Sequence, residues 1–274
     1  IIKLNPKTLI LVELSEFALY NVSEDLKNIN KNTKIISLII NIQNKTKIEH
    51  VFNTFNIDTV YHAAAYKHVP LVEENITESV KNNVFGSFIL AEAALKYNVS
   101  NFVLISSDKA VRSANIMGAS KRLAEICVQS LCDDQNQKSK FAIVRFGNVL
   151  ESSGSVIPKF KQQIKQGGPV TLTHPDVTRY FMTITEASQL VIQAGAMAEK
   201  CEVYVLDMGE SIKIRDLIEK MIILSGLTIK DDKNLDGDIE IKITGLRPGE
   251  KLYEELLLGD NPETTYHKKI QKAQ

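Results

Sequence analysis

No glycine precedes Gly86 in this chain of 274 residues. That absence excludes a glycine-rich phosphate-binding turn from the whole opening stretch, since such a turn needs residues without Cβ where the backbone approaches the phosphates. An excess of charge of one sign is missing too: 33 basic residues balance 33 acidic ones, with no polybasic block beyond Lys268 and Lys269. Nucleic acid is therefore not an expected partner. Cysteine is scarce, and Cys127, Cys132 and Cys201 have neither metal-ligand spacing nor the even count of a disulfide framework. They read as buried or inert thiols in a reducing compartment, and no metal site is expected. No apolar run approaches the roughly 18 residues a membrane span needs, and the first residues lack a signal-peptide layout. The chain is expected to be soluble and cytoplasmic.

What is present is an alternation of strands and helices. Strands are predicted over 8–12, 34–40, 58–62, 101–105, 141–146 and 202–207, with helices over 87–97, 119–132, 185–198 and 215–224. The fold class expected is α/β, a doubly wound parallel sheet of the Rossmann type whose first strand is missing, with a smaller C-terminal lobe. The lobe takes residues 151–184 and 209–274, the sheet domain 1–150 and 185–208. Within the lobe, 239–243 alternates like an edge strand and 253–258 reads as a helix. The residues before Thr8 resemble the tail of a helix closed by Asn5 and Pro6.

Residues 106–122, SSDKAVRSANIMGASKR, stand out. Ser107, Asp108 and Lys109 place a hydroxyl, an acid and a base where a buried strand gives way to loop, the end of a parallel sheet at which ligands bind. Such a triplet is also an ordinary polar turn. Met117 and Lys121 lie four apart and share a helix face. Glu13 ends the first strand, where an acid takes ribose hydroxyls in a dinucleotide site. Ala63, Ala64 and Ala65 follow another strand and would let a flat ligand approach, although alanines equally serve tight packing. Lys67 and His68 come next, and a lone His is more often structural.

Five blocks in one order, HAAAYKHVP, SSDKAV…MGASKR, RFGNVL…SSGSV, HPDVTRYF and GLRPGEKLYEE, make the chain resemble an extended short-chain dehydrogenase/reductase. More narrowly it is similar to nucleotide-sugar 4,6-dehydratases of polysaccharide and glycan biosynthesis, those acting on UDP-N-acetylglucosamine. The resemblance implies NAD as cofactor, a UDP-N-acetyl sugar as substrate and self-association into a homo-oligomer. Members of the group also carry N-terminal membrane helices, so the chain is alternatively the cytoplasmic part of a membrane-anchored protein.

The resemblance also implies roles. Lys121 would hold the nicotinamide ribose, and Met117 stands where most of the superfamily has tyrosine, as in a subgroup of these dehydratases. Methionine cannot take a proton, so the group that removes the C4 hydroxyl proton is left open. Ser107 replaces the usual threonine. Once C4 is oxidised, Lys109 would remove the C5 proton while Asp108 protonates the departing C6 hydroxyl, and hydride returns to C6. Ordinary pKa values of about 10.4 and 3.9 suit neither task near neutrality, so in the closed, substrate-bound site burial is expected to move both toward 7 rather than an ion pair pushing them apart. Asn148, Arg179 and Arg247 would hold the diphosphate and Glu250 the uridine ribose, with Lys67 and His68 toward the sugar and Ala63–Ala65 and Lys67 along the cofactor. A C5-inverting dehydratase, a nucleotide-sugar epimerase or a non-catalytic UDP-sugar-binding subunit are the competing readings.

Overall fold

A computed structural model describes residues 1–132, 138–152, 154–256 and 262–273. The chain opens with a 3-10 turn, Ile2–Leu4, closed by Asn5 in the left-handed region. Then come β1 (Thr8–Glu13), α1 (Glu16–Ile29), β2 (Lys34–Ile39), α2 (Lys45–Thr54), β3 (Thr59–His62), α3 (Val69–Glu74) and α4 (Ile76–Val80). A π-helical turn, Lys81–Gly86, leads into α5 (Ser87–Lys96), β4 (Asn101–Ile105), a 3-10 turn Asp108–Ala110, α6 (Ile116–Ser130) and β5 (Lys140–Arg145). Next are β6 (Asn148–Val149), α7 (Val156–Lys165), β7 (Val170–Leu172), β8 (Thr178–Arg179), β9 (Phe181–Met182), α8 (Ile184–Met197) and β10 (Cys201–Leu206). The remainder is β11 (Ile212–Lys213), α9 (Ile214–Leu224), β12 (Ile229–Lys230), β13 (Ile239–Ile243), β14 (Glu263–Thr264) and β15 (Ile270–Lys272).

Helix starts follow the sequence. Ser15, Asn44, Asn115 and Thr183 each accept a hydrogen bond from a first-turn N–H of α1, α2, α6 and α8, satisfying a donor the helix itself leaves unpaired.

The main sheet has the order β14-β15-β10-β5-β4-β3, parallel from β3 to β10, with β15 antiparallel to β10 and β14 antiparallel to β15 at the edge. Side chains alternate across it. Phe102, Leu104, Phe141 and Ile143 pack with α2 and α5 on one face, while Val103, Ala142 and Val144 pack with α8 on the other. Burial on both faces explains why β4 and β5 read as continuous apolar runs. This is the expected Rossmann-like α/β fold. Among the described residues, strands β1 and β2 pair with each other in parallel as a sheet separate from that one. Val12 and Ile40 nevertheless pack on its first core cluster.

A third cluster joins Phe160 and Ile164 of α7, Val170 and Leu172 of β7, Ile214, Ile218 and Ile222 of α9, and Ile239 of β13. Here two expectations fail. β13 is the central strand of a small parallel sheet, β12-β13-β7, not an edge. The helix predicted over 253–258 does not form through residue 256, and 257–258 lie outside the described residues. Its backbone is bound elsewhere: the Leu252 carbonyl accepts from Thr178 N–H and from Arg179. The loop predicted at 133–140 lies outside the described residues over 133–137.

Candidate active site

The triplet after β4 is a capped turn. Ser107 Oγ accepts from Lys109 N–H at 3.3 Å and donates to Asp108 Oδ1 at 2.8 Å. Asp108 is fully buried. Lys109 Nζ lies 3.0 Å from Asp108 Oδ1, 3.4 Å from Asn148 Oδ1 and 3.6 Å from Glu254 Oε1. Acid and base form an ion pair in this structure; the shift of both toward 7 is an expectation for the closed, substrate-bound site. Among the described residues, the buried oxygens Asp108 Oδ2 and Glu254 Oε2 have no hydrogen-bond partner.

Helix α6 stands against this turn. A Cβ on Gly118 would lie 2.1 Å from the Lys109 carbonyl oxygen, so only glycine allows the approach. Asn115 works in two directions: its Oδ1 accepts from Gly118 N–H and its Nδ2 donates to the Gly249 carbonyl, both within 2.9 Å. Met117 and Lys121 are both buried. Lys121 Nζ donates to the Ile105 carbonyl at 2.6 Å, and burial lowers its pKa to about 8 against the opposing pull of Glu125.

Behind the strand end, the Glu125 carboxylate accepts from Ser106 Oγ, from Arg145 through Nε and Nη2, and from Arg122. Asn83 is another junction. Its side chain takes Tyr66 N–H, donates to the Tyr66 carbonyl and reaches Ser120, tying the loop after β3 to α6. Neither Glu125 nor Asn83 was legible as a site residue, because each acts by holding a backbone or a neighbour in place. Asn82–Asn83 ahead of Gly86 was the one available signal.

On the other side lies a cavity of about 500 Å³ lined by Asn148, Ser155, Arg179, Arg247 and Glu250 among others. Asn148 is thus shared between the cavity and Lys109. Arg179 is buried, donating to the Thr178 and Leu252 carbonyls, with Glu250 at 3.6 Å. Glu250 accepts from Thr173 Oγ1 and from Arg247 N–H, so its carboxylate holds its own loop. Arg247 is exposed. Lys67 and His68 are exposed as well: Lys67 Nζ is 3.4 Å from Ser152 Oγ, and His68 leaves no room for a Cβ at Gly154. Glu13 ends β1 with Oε1 accepting from the N–H groups of Leu14 and Ser15. Ala63–Ala65 form the half-exposed to exposed turn after β3.

The family model described as "Polysaccharide biosynthesis protein" matches residues 1–274. The chain belongs to the polysaccharide biosynthesis protein family. Within that family it is 51% identical over 269 residues to the capsular polysaccharide biosynthesis protein CapD of Staphylococcus aureus, covering 97% of this chain and 44% of CapD. The chain thus spans less than half the length of that relative. Among solved structures it is similar to Pen from Bacillus thuringiensis, with a TM-score of 0.83 at 36% identity, covering 94% of this chain and 78% of Pen. The dTDP-glucose 4,6-dehydratase DesIV of Streptomyces venezuelae, solved with NAD and TYD bound, shares the fold with a TM-score of 0.76 at 16% identity, covering 95% and 84%. The chain shares its Rossmann-like α/β fold with both of these structures. Among the described residues no helix is long and apolar enough to cross a membrane.

Proposed function

We propose that the chain is the catalytic part of an NAD-dependent 4,6-dehydratase that converts a UDP-N-acetylhexosamine, of the UDP-N-acetylglucosamine type, to its 4-keto-6-deoxy product for polysaccharide synthesis. The observation that carries this reading is the pair of buried Asp108 and half-buried Lys109, joined through Asn148 to a cavity bearing two arginines. Epimerisation at C4 has no use for an acid that protonates a leaving C6 hydroxyl, so the pair favours dehydration.

The residues present fit NAD at its two ribose ends. One Glu13 oxygen caps its own turn, which leaves Oε2 for ribose hydroxyls, the alanine turn offers a small-residue floor, and the buried Lys121 ammonium stands at the end of β4. NAD, when bound, supplies the acceptor and donor of the hydride.

The chain's own part is proton handling and orientation. Lys109 takes the C5 proton made acidic by the C4 ketone, and Asp108 gives its proton to the C6 oxygen, which leaves as water. Both groups start neutral and end as the ion pair seen here. As hydride returns to C6, Lys109 gives a solvent-exchanged proton back to C5, and Asp108 regains a proton from solvent, which matches the one lost from the C4 hydroxyl. Ser107 fixes the Asp108 oxygen that faces Lys109. Arg179 and Arg247 hold the diphosphate, a use suited to planar, permanently charged donors. Met117 occupies the tyrosine position and exchanges no proton.

The test is NMR of the reaction of the full-length protein with NAD and UDP-N-acetylglucosamine in heavy water. A 6-deoxy-4-keto product carrying deuterium at C5 is expected, and its C5 configuration separates retaining from inverting chemistry. A C4 epimer with C6 still hydroxylated, or no turnover of any UDP-N-acetyl sugar, refutes the reading.

A further inference from the structure

Glu254 lies in the segment predicted as a helix over 253–258. The helix does not form there, and the Glu254 side chain reaches the triplet. Its side chain is 3% exposed, Oε1 lies 3.6 Å from Lys109 Nζ, and Oε2 is buried without a partner. Asp108, 1% exposed along its side chain, holds the same ammonium at 3.0 Å. Two buried carboxyls thus face one cation.

We infer that Glu254 is a positioning residue for the acid–base pair: the charge on its carboxyl decides how firmly Lys109 keeps its proton, and hence the pH range in which Lys109 can act as a base. The catalytic consequence rests on the dehydratase reading above; the coupling between the two side chains does not. The groups facing Glu254 are Asp108 and Lys109 from the turn after β4, Arg179 from β8 and Lys251 from its own loop. Burial raises the Glu254 pKa, Lys109 lowers it, Asp108 raises it again, and the net direction is upward.

An ionised Glu254 adds a second anion beside the ammonium and stabilises its charged form. A protonated Glu254 removes that anion, and a proton can then pass from Lys109 to Asp108 within the pair, leaving a neutral amine and a neutral acid. Proton count is conserved in that shift and no further reactant is required. Protonated Glu254 therefore corresponds to the competent arrangement, and glutamine at this position imitates it permanently.

The test compares the full-length wild-type protein with Glu254→Gln and Glu254→Asp, and with Glu255→Gln as a neighbouring control whose carboxylate pairs with exposed Arg112. Competitive labelling by an amine reagent, read at the Lys109 peptide by mass spectrometry across pH, gives the Lys109 titration without requiring activity. Glu254→Gln is expected to lower that titration by about one unit, which is roughly a tenfold gain in reactivity at a fixed lower pH. Glu254→Asp withdraws the carboxylate and gives a smaller shift in the same direction, which keeps the comparison available if the glutamine variant fails to fold. Glu255→Gln leaves Lys109 where it was. With NAD and UDP-N-acetylglucosamine, the acidic limb of kcat/KM moves down in parallel while KM holds. An unchanged Lys109 titration in both Glu254 variants overturns the inference. A shifted titration in a protein that dehydrates no UDP-N-acetyl sugar upholds the coupling and refutes the function proposed above.

Discussion

Alanine at position 118 is expected to weaken a helix that alanine ordinarily strengthens. In an unconstrained helix interior, Gly→Ala gains about 1 kcal/mol. Gly118 sits in the first turn of α6, where a Cβ would stand 2.1 Å from the Lys109 carbonyl oxygen and 3.0 Å from its carbon. Comfortable contacts lie at roughly 3.5 Å, so more than an ångström of overlap falls on backbone that cannot rotate away. Overpacking of this kind costs about 1–3 kcal/mol, and the size of the overlap puts it at the upper end. After the propensity gain, a net loss of about 2 kcal/mol remains, a fall in Tm of roughly 4–6 °C for a chain of this size. The strain pushes directly on Lys109, and a misplacement near 1 Å costs on the order of 100-fold in turnover. Thermal melts and steady-state kinetics of Gly118→Ala check both parts. A raised Tm with kcat intact would refute the reasoning, because it would mean that helix propensity alone governs the position.

Two further outcomes concern the buried charges. Burial pushes the Glu125 carboxyl up, but hydrogen bonds and charge from Arg145, with Ser106 and Arg122, outweigh it and hold the group below its ordinary range. A depressed folded pKa means stability that is present above the unfolded value of about 4.3 and lost as pH falls through the folded one. Glu125→Gln, which leaves Arg145 buried and uncompensated, should lose about 3–5 kcal/mol at pH 7. Urea unfolding should show that deficit shrinking in acid. Lys121 is the opposite case in cost: burial lowers its pKa to about 8, so its charged form opposes folding at pH 7, and stability from this group rises with pH above 8. Lys121→Met removes that penalty and loses the hydrogen bond to Ile105, for a net gain of about 1 kcal/mol at neutral pH that vanishes by about pH 10.5. Calorimetry should show cofactor binding lost in the same variant.

The strands of the main sheet were legible because burial on both faces leaves long apolar runs, and β4 is found at residues 101–105 as predicted. The triplet was legible for the related reason that it follows such a strand. The small sheet was not, because β7, which pairs with β13 on one side and makes it a central strand, lies far earlier in the sequence. The alternation of β13 reports one solvated side chain row, which an edge and a short central strand share. Glu254 escaped notice for a physical reason as well. The run Tyr253-Glu-Glu-Leu-Leu257 has good helix formers, yet the Leu252 carbonyl that would start the ladder is taken by Thr178 and Arg179. Tertiary partners outweighed propensity, and the Glu254 carboxyl lies 3.6 Å from Lys109 Nζ.

Asn115 gives the site a property that belongs to neither half alone. One branch of its amide starts the helix that carries Met117 and Lys121, and the other fastens the loop that carries Arg247, Glu250 and Glu254. Gly249 leaves no slack in this joint, since a Cβ there would lie 2.7 Å from that of Asn115. Order at one end of the amide is therefore order at the other, and by linkage a ligand that steadies the helix end lowers the entropy still to be lost by a ligand gripping the loop. The cofactor and sugar sites proposed on these elements share a hinge pin, and neither can be retuned without the other feeling it.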